Sequence, residues 1–162
     1  MLTDIDDTLA TEGRLPARTY AALEALDAAG IAVIPVTGRP AGWCDAMARQ
    51  WPVAAVVGEN GALWYALDRG ARRMRRWQAQ PEAERRRARA RLMDLADEAL
   101  RAVPGAALSA DQPFRLFDVA IDFCEDAGPL GLAAAGRIAA VFTAHDAQAK
   151  VSSIHVSAWI GD

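Results

Sequence analysis

Two carboxylates stand two residues apart near the start of the chain, in the run Asp4-Ile5-Asp6-Asp7-Thr8-Leu9. A short strand is predicted over residues 2–5, so these side chains follow its C-terminal end, where ligands bind in open α/β sheets. A strand end that curls can aim both carboxylates at one point, where a divalent cation would offset their repulsion. Hard oxygen ligands of this kind suit Mg²⁺. The same run is also typical of a solvated acidic turn, because aspartates are common in loops.

Two more polar loops are predicted at the same sheet edge. Thr37-Gly38 follows the apolar, β-branched run 31–36, and Asn60-Gly61 follows the second apolar run, 53–57. Runs of this kind are typical of strands covered on both faces. The Thr37 hydroxyl and the Gly38 N–H could hold an anionic oxygen, since glycine lets the backbone come close. Each loop could instead be a plain turn, and the coincidence of three polar loops at one edge favours a site.

The elements around these loops alternate strand and helix. Helices are predicted over 16–29, which Gly30 ends, and over 41–50, and the short connections to the apolar runs favour parallel βαβ units in residues 1–61. The hydrophobic period then changes. A hairpin (62–67 and 72–77), a helix (82–102), a half-exposed strand (117–123), a second helix (129–142) and a last strand (149–159) predict a separate αβ module over 62–159.

Composition excludes several classes of protein. The chain has 162 residues, of which 52% are hydrophobic and 24% charged, so it is expected to fold as a globular protein. No apolar run reaches the roughly 20 residues of a membrane helix, and acidic residues stand where a signal peptide would be basic and apolar. Cys44 and Cys124 have no metal-ligand spacing. Two plain thiols are typical of an intracellular protein, and we expect a cytoplasmic one.

Basic charge is concentrated in residues 69–91, which contain ten arginines against Glu82 and Glu84. The arginines ring the predicted helix instead of forming one stripe, and few aromatic residues stand among them. A solvated surface is the favoured interpretation. Steering of an anionic substrate and nucleic-acid binding are the alternatives, and we expect no nucleic-acid partner.

The motifs together resemble a known superfamily. The run DIDDTL, an apolar strand ending in VTGRP and another ending in VVGENGA are similar to the haloacid dehalogenase (HAD) superfamily of phosphohydrolases. The family's DxDxT motif matches at Asp4, Asp6 and Thr8, and its second motif matches at Thr37. The resemblance is greatest to the branch, including sugar-phosphate phosphatases, whose αβ cap is inserted after the third core strand. It implies a partial Rossmann-like α/β core over 1–61, an inserted α+β cap over 62–159, and a return to the core at 160–162.

The resemblance also implies a mechanism and a set of site residues. Asp4 would be the nucleophile that forms an aspartyl-phosphate, and Asp6 the general acid and base. Mg²⁺ would bind the Asp4 carboxylate and the Asp6 carbonyl. The expected substrate is a small phosphorylated metabolite, with sugar phosphates as candidates. The implied phosphate-binding residues are Asp7, Thr8, Thr37 and Gly38, and the implied substrate-binding residues are Arg39, Asn60, Asp118 and Asp122.

On the predicted cap strand, alternation allows Asp118 and Asp122 to share a face from which they could contact sugar hydroxyls. The alternative is that both are ordinary exposed strand positions.

The sequence departs from the family pattern in two places. The family's lysine and its acidic pair normally follow the cap, whereas the one lysine here, Lys150, precedes the end of the predicted cap and Asp162 is the last residue. Neither is a good match to these motifs. We therefore expect a shortened HAD chain whose apolar core edge could associate with another chain, and a catalytically incompetent homologue is the alternative to an active phosphatase.

Overall fold

The structure, a computed structural model, describes residues 1–161, and Asp162 lies outside the described residues. The chain divides into two compact units, the first from Met1 to Ala79 and the second from Gln80 onward. Both units mix helices with sheets, which confirms the predicted α/β class. No helix within residues 1–161 is long and apolar enough to cross a membrane.

The first unit begins with alternating strands and helices. They are β1 (Leu2–Thr3), α1 (Ala17–Ala28), β2 (Ile34–Pro35), α2 (Ala41–Gln50) and β3 (Val56–Gly58). Strands β1 and β2 pair in parallel, and a parallel bridge between Val36 and Val57 continues the order to β3. The three strands are therefore parallel, as predicted, and the three polar loops follow their C-terminal ends at one edge of the sheet.

Strand β2 is shorter than the predicted strand over 31–36. The N–H of Ile31 donates to the Leu26 carbonyl, and Gly30, at φ 74°, donates to the Asp27 carbonyl. These bonds close the C-terminus of α1, so Ile31 belongs to the end of the helix. Ile31 is consequently 45% exposed, and the expectation that the whole run is covered on both faces is wrong at this end.

An antiparallel hairpin completes the first unit. Strands β4 (Leu63–Asp68) and β5 (Arg73–Gln78) pair with each other, and β4 also pairs with β3. The predicted hairpin is confirmed, and it lies in the compact unit of residues 1–79. The functional division into a core over 1–61 and a cap over 62–159 stays a prediction.

The second unit is a four-stranded antiparallel sheet with two helices. Its elements are α3 (Glu82–Ala102), β6 (Ala107–Leu108), β7 (Val119–Asp122), α4 (Gly131–Thr143), β8 (Gln148–Val151) and β9 (His155–Trp159), with the strand order β6-β7-β9-β8. The apolar faces of α3 and α4 meet the sheet in one core that contains Leu92, Ile138 and Phe142. The prediction of a single strand over 149–159 is wrong. These residues contain part of a hairpin formed by β8 and β9, because the Ser152 hydroxyl accepts the N–H of His155 and closes a turn between the two strands.

Candidate functional site

The acidic loop after β1 is a tight turn anchored on a buried residue. Ile5 is 3% exposed, and its carbonyl accepts the N–H groups of Leu9 at 3.0 Å and Ala10 at 2.8 Å. Asp7 adopts a left-handed conformation with φ 57°, which aspartate tolerates better than most residues. The Asp4 carboxylate is exposed and accepts the Ile5 N–H at 2.7 Å. The turn therefore presents acidic side chains at the end of the strand.

The second loop begins with a buried threonine. Thr37 is 4% exposed, and its N–H donates to the Val57 carbonyl at 3.0 Å. Its hydroxyl accepts the N–H of Arg39 at 3.1 Å, which leaves the hydroxyl hydrogen able to donate. A Cβ on Gly38 would lie 3.3 Å from Oδ1 of Asn60, so glycine permits the loops after β2 and β3 to approach closely.

The third loop contains a site residue that the sequence interpretation missed. Glu59 and Asn60 both have positive φ, 46° and 57°. Glu59 is 3% exposed, and its Oε1 accepts the N–H of Ala41 at 2.9 Å. That N–H lies in the first turn of α2, where backbone donors have no partner within the helix. Gly58-Glu59-Asn60 at a strand end was the available signal, but only its asparagine was considered.

An ion pair joins the first loop to the second. The Nη2 atom of Arg39 lies 2.8 Å from Oδ1 of Asp6, and its Nε lies 3.3 Å from both carboxylate oxygens. The guanidinium also lies over the ring of Trp43, 4.8 Å from its centroid. The structure thus brings the three predicted polar loops together within the first unit, although their catalytic and binding roles remain predictions.

The second unit holds two other candidate residues, and both are buried. Asp118 is 0% exposed, and its two oxygens each lie 3.0 Å from Nη1 of Arg115. Arg115 is itself 3% exposed and also binds Asp111 through Nε at 2.8 Å. The alternative that Asp118 is an ordinary exposed strand position is therefore wrong, because a buried arginine compensates its charge.

Asp122 is likewise 1% exposed, so the same alternative is wrong for it. Its two oxygens accept four successive backbone N–H groups, those of residues 124–127, at 2.7 to 2.9 Å. Burial opposes ionisation, but these four donors hold the pKa of Asp122 below its ordinary value. All four residues of strand β7 are buried, so the exposed face predicted for this strand is absent from Val119–Asp122. Sugar binding by Asp118 or Asp122 stays a prediction.

Three arginines of α3 contact partners within the second unit. Arg89 donates to the carbonyls of Arg115 and Gln112, Arg91 donates to the His145 carbonyl, and Arg86 pairs with Glu82. An open cleft nearby is lined by Gln80, Glu84, Arg87, Ala88, Arg91 and Ile160. These contacts agree with a solvated surface for the basic stretch, whose other two interpretations stay untested.

Lys150 and Asp162 are the two residues that the sequence offers for comparison with the family's later motifs. Lys150 is an exposed residue of β8, where it faces Ser157 across the hairpin. Asp162 lies outside the described residues. The expectation that Lys150 does not match the family's catalytic lysine stays a prediction.

Oxygen donors suitable for a cation are present in the acidic loop. The Asp4 side chain and the backbone of Asp6 supply hard donors, and Mg²⁺ usually takes one or two protein carboxylates together with water. Within residues 1–161, no group of three or more His, Cys, Asp and Glu side chains could hold a metal ion. The donor set fits a magnesium ion held by few protein ligands.

Comparisons with known proteins show a family match in the first part of the chain and a shared fold over most of it. Residues 1–74 match the family model for haloacid dehalogenase-like hydrolases. The search among curated proteins found no match. The fold is similar to a crystal structure of the Thermoplasma acidophilum protein 0175, with TM-score 0.72 and 10% identity over 98% of this chain and 63% of that one.

Two further solved structures share the fold. One is a HAD subclass IIB sugar phosphatase, with TM-score 0.59 and 13% identity over 98% of this chain and 68% of that one. The other is a trehalose-6-phosphate phosphatase related protein, with TM-score 0.60 and 14% identity over 98% of this chain and 66% of that one. The chain therefore spans about two thirds of the length of these proteins.

The acidic loop at the end of β1 lies within residues 1–74, the segment that matches the haloacid dehalogenase-like hydrolase model. The match of residues 1–74 to the family model agrees with the resemblance that the motifs indicated, and the solved structures show that the fold is shared.

Proposed function

We propose that this chain hydrolyses phosphate monoesters of small metabolites, with sugar phosphates as the first candidates. The observation that carries the proposal is the pair of carboxylates, Asp4 and Asp6, on the anchored turn after β1, joined through Arg39 to the loop of Thr37 and Gly38. This turn lies in the segment that matches a hydrolase family.

In the proposed mechanism, a carboxylate oxygen of Asp4 attacks phosphorus, and the bond from phosphorus to the ester oxygen breaks. Asp6 gives its proton to the departing alkoxide, which leaves as an alcohol. Asp6 then takes a proton from the water that attacks the aspartyl-phosphate, which releases phosphate and restores Asp4. Such proton transfers are typically worth about 10²–10⁴-fold in rate.

Phosphoryl oxygens need donors beside this nucleophile. The Thr37 hydroxyl accepts the N–H of Arg39, so its own hydrogen would donate to a phosphoryl oxygen, and the backbone of Gly38, beside the Asn60 side chain, would approach the same oxygens. Asp7 and Thr8 belong to the exposed part of the turn after Asp4 and would contribute backbone N–H groups to the same oxygens.

Magnesium is the proposed cofactor. The Asp4 carboxylate and the Asp6 carbonyl would hold the ion. When bound, it would neutralise phosphate charge next to the nucleophile. We also propose that residues 62–159 act as the cap that selects the leaving group and that the protein acts in the cytoplasm.

The test is a phosphate-release assay on a panel of sugar phosphates. We expect release that depends on Mg²⁺, stops when EDTA is added, and is lost in Asp4→Asn. Asp27→Asn is the matched control, because Asp27 is an exposed aspartate on α1 of the same unit. If the unaltered chain releases phosphate from none of the esters, the proposal is wrong and the alternative of a homologue without catalysis takes its place.

A further inference from the structure

The backbone of Arg39 is held in place by contacts on both sides of the residue. Its N–H donates to the Thr37 hydroxyl at 3.1 Å, and its carbonyl accepts the N–H of Glu59 at 3.1 Å. The thiol of the fully buried Cys44 lies 3.7 Å from the same carbonyl. The Cα of Arg39 therefore has a fixed position between two loops, and its side chain begins from a rigid base.

The side chain is also restrained along its length. Its exposed fraction is only 16%, against 44% for the Asp6 side chain that it contacts. The guanidinium lies over Trp43, a cation–π contact that limits its rotation. Nε and Nη2 then approach the Asp6 carboxylate as a fork, which fixes both the position and the plane of the acceptor. An arginine this restrained can orient a partner that is itself half exposed.

We propose that Arg39 is the positioning residue for Asp6 and holds its carboxyl group in the direction required for proton transfer. This inference rests on the proposed function, in which Asp6 protonates the leaving alcohol and deprotonates water. A short flexible acid transfers a proton well only when its oxygen is aligned with the reacting atom, and misplacement by about 1 Å can cost roughly 10²-fold in rate. Arg39 thus acts through Asp6 and has no separate chemical step.

A competing role for Arg39 is direct binding of the substrate phosphate. The two roles differ in how they depend on the leaving group. An alkyl ester such as glucose 6-phosphate needs a proton from Asp6 as its bond to phosphorus breaks, whereas the nitrophenolate of p-nitrophenyl phosphate leaves without one. Both esters carry the same phosphate, so a phosphate-binding arginine would affect them equally.

The experiment compares kcat/KM for these two esters in Arg39→Gln. We expect a loss of about 10²-fold with glucose 6-phosphate and less than about threefold with p-nitrophenyl phosphate. Arg39→Lys keeps the positive charge but has no planar fork, so we expect an intermediate loss of about tenfold with the alkyl ester. Arg39→Lys also keeps a long side chain beside Trp43, so it still tests the proposal if Arg39→Gln does not fold.

Arg49→Gln is the matched control, because Arg49 makes a similar fork with Asp45, and both of these residues lie on α2. We expect it to leave both esters unaffected. An equal loss on both esters in Arg39→Gln, expressed in KM, would overturn the positioning role while leaving the proposed phosphatase intact. A wild-type chain inactive on p-nitrophenyl phosphate and on every sugar phosphate of the panel would overturn the proposed function and this inference together, and if another sugar phosphate of the panel is the better substrate it replaces glucose 6-phosphate as the alkyl ester.

Discussion

The side-chain carboxylate of Glu59 accepts the backbone N–H of Ala41 at 2.9 Å, and so joins the loop after β3 to the first turn of α2. The backbone N–H of the same glutamate donates to the Arg39 carbonyl at 3.1 Å. One buried residue therefore fixes the start of the helix and the residue that contacts Asp6.

Replacement of Glu59 by alanine should destabilise the first unit. The N–H of Ala41 would lose its acceptor in a buried position, which costs about 1–3 kcal/mol. Thermal unfolding followed by circular dichroism measures this loss. Glu24→Ala is the control, because Glu24 is an exposed glutamate of α1, and we expect almost no change there. An equal melting temperature for Glu59→Ala and wild type would contradict the role given to Glu59.

Asp118 should be necessary for the stability of the second unit. Its removal by Asp118→Ala leaves Arg115 buried with only part of its charge compensated, and breaking a buried ion pair typically costs about 3–5 kcal/mol. Urea denaturation gives the free energy of unfolding. Asp97→Ala on the exposed face of α3 is the control. A cost below about 1 kcal/mol for Asp118→Ala would show that Arg115 does not depend on this partner.

Acid should destabilise the second unit through Asp122. Since four backbone donors hold its pKa below the ordinary value of 3.8, the unfolded chain binds a proton at a higher pH than the folded chain does. The stabilisation is therefore present above about pH 4 and is lost as the pH falls toward the folded pKa. Hydrogen exchange of the β7 amides between pH 5 and pH 2.5, in roughly half-unit steps, measures this loss.

In Asp122→Asn the acid-dependent part should disappear, and the protein should be less stable already at neutral pH. The asparagine replaces one of the two carboxylate oxygens that accept the loop N–H groups with an amide NH₂, which donates hydrogen bonds and cannot accept them. If wild type and Asp122→Asn kept the same pH dependence between pH 5 and about 2.5, the assignment to Asp122 would fail.

Protonation of His155 should also destabilise the second unit, and it should do so at a higher pH than protonation of Asp122. Burial lowers the pKa of His155 below 6.5, although Glu125, whose Oε2 lies 2.9 Å from its Nε2, opposes this shift. The unfolded chain therefore takes up the proton first as the pH falls below about 6.5, and stability decreases from there toward the folded pKa. Thermal unfolding between pH 7.5 and pH 5 detects the decrease.

The chain has two histidines, which provides an internal control. His155→Gln should flatten this part of the stability profile, whereas His145→Gln should leave it unchanged, because His145 is an exposed residue after α4. If the stability profile flattened in His145→Gln and not in His155→Gln, the assignment of this pH dependence to His155 would be wrong.

The sequence was most informative where local rules decide the structure. The helices over 41–50 and 82–102 have the predicted bounds, because each has a clear hydrophobic period and follows a proline that suits its first turn. The residues after Gly30 were harder to interpret. The pattern of apolar residues alone does not show that the N–H of Ile31 closes a helix.

The site contacts show the other limit. Asp6 and Arg39 are separated by 33 residues, and no local pattern indicates that they meet. Asp118 alternates with apolar neighbours like an exposed residue, and its burial depends on Arg115, which compensates its charge. The acidic motif of the proposed site could be recognised in the sequence because its residue types and spacing suggest the chemistry, whereas the residues that contact it do so through tertiary structure.

The central claim is that Asp4 becomes phosphorylated, and its most direct test is to trap the intermediate. In Asp6→Asn the water step loses its base, while p-nitrophenyl phosphate still transfers its phosphoryl group without a proton. Incubation with ³²P-labelled p-nitrophenyl phosphate and Mg²⁺, followed by acid quenching, should give a labelled chain. Hydroxylamine should then release the label, because it cleaves acyl phosphates. The label should map to the peptide that contains Asp4 and be absent in the double variant Asp4→Asn, Asp6→Asn. Phosphate release by the wild-type chain, with no label or with label on another residue, would contradict the account.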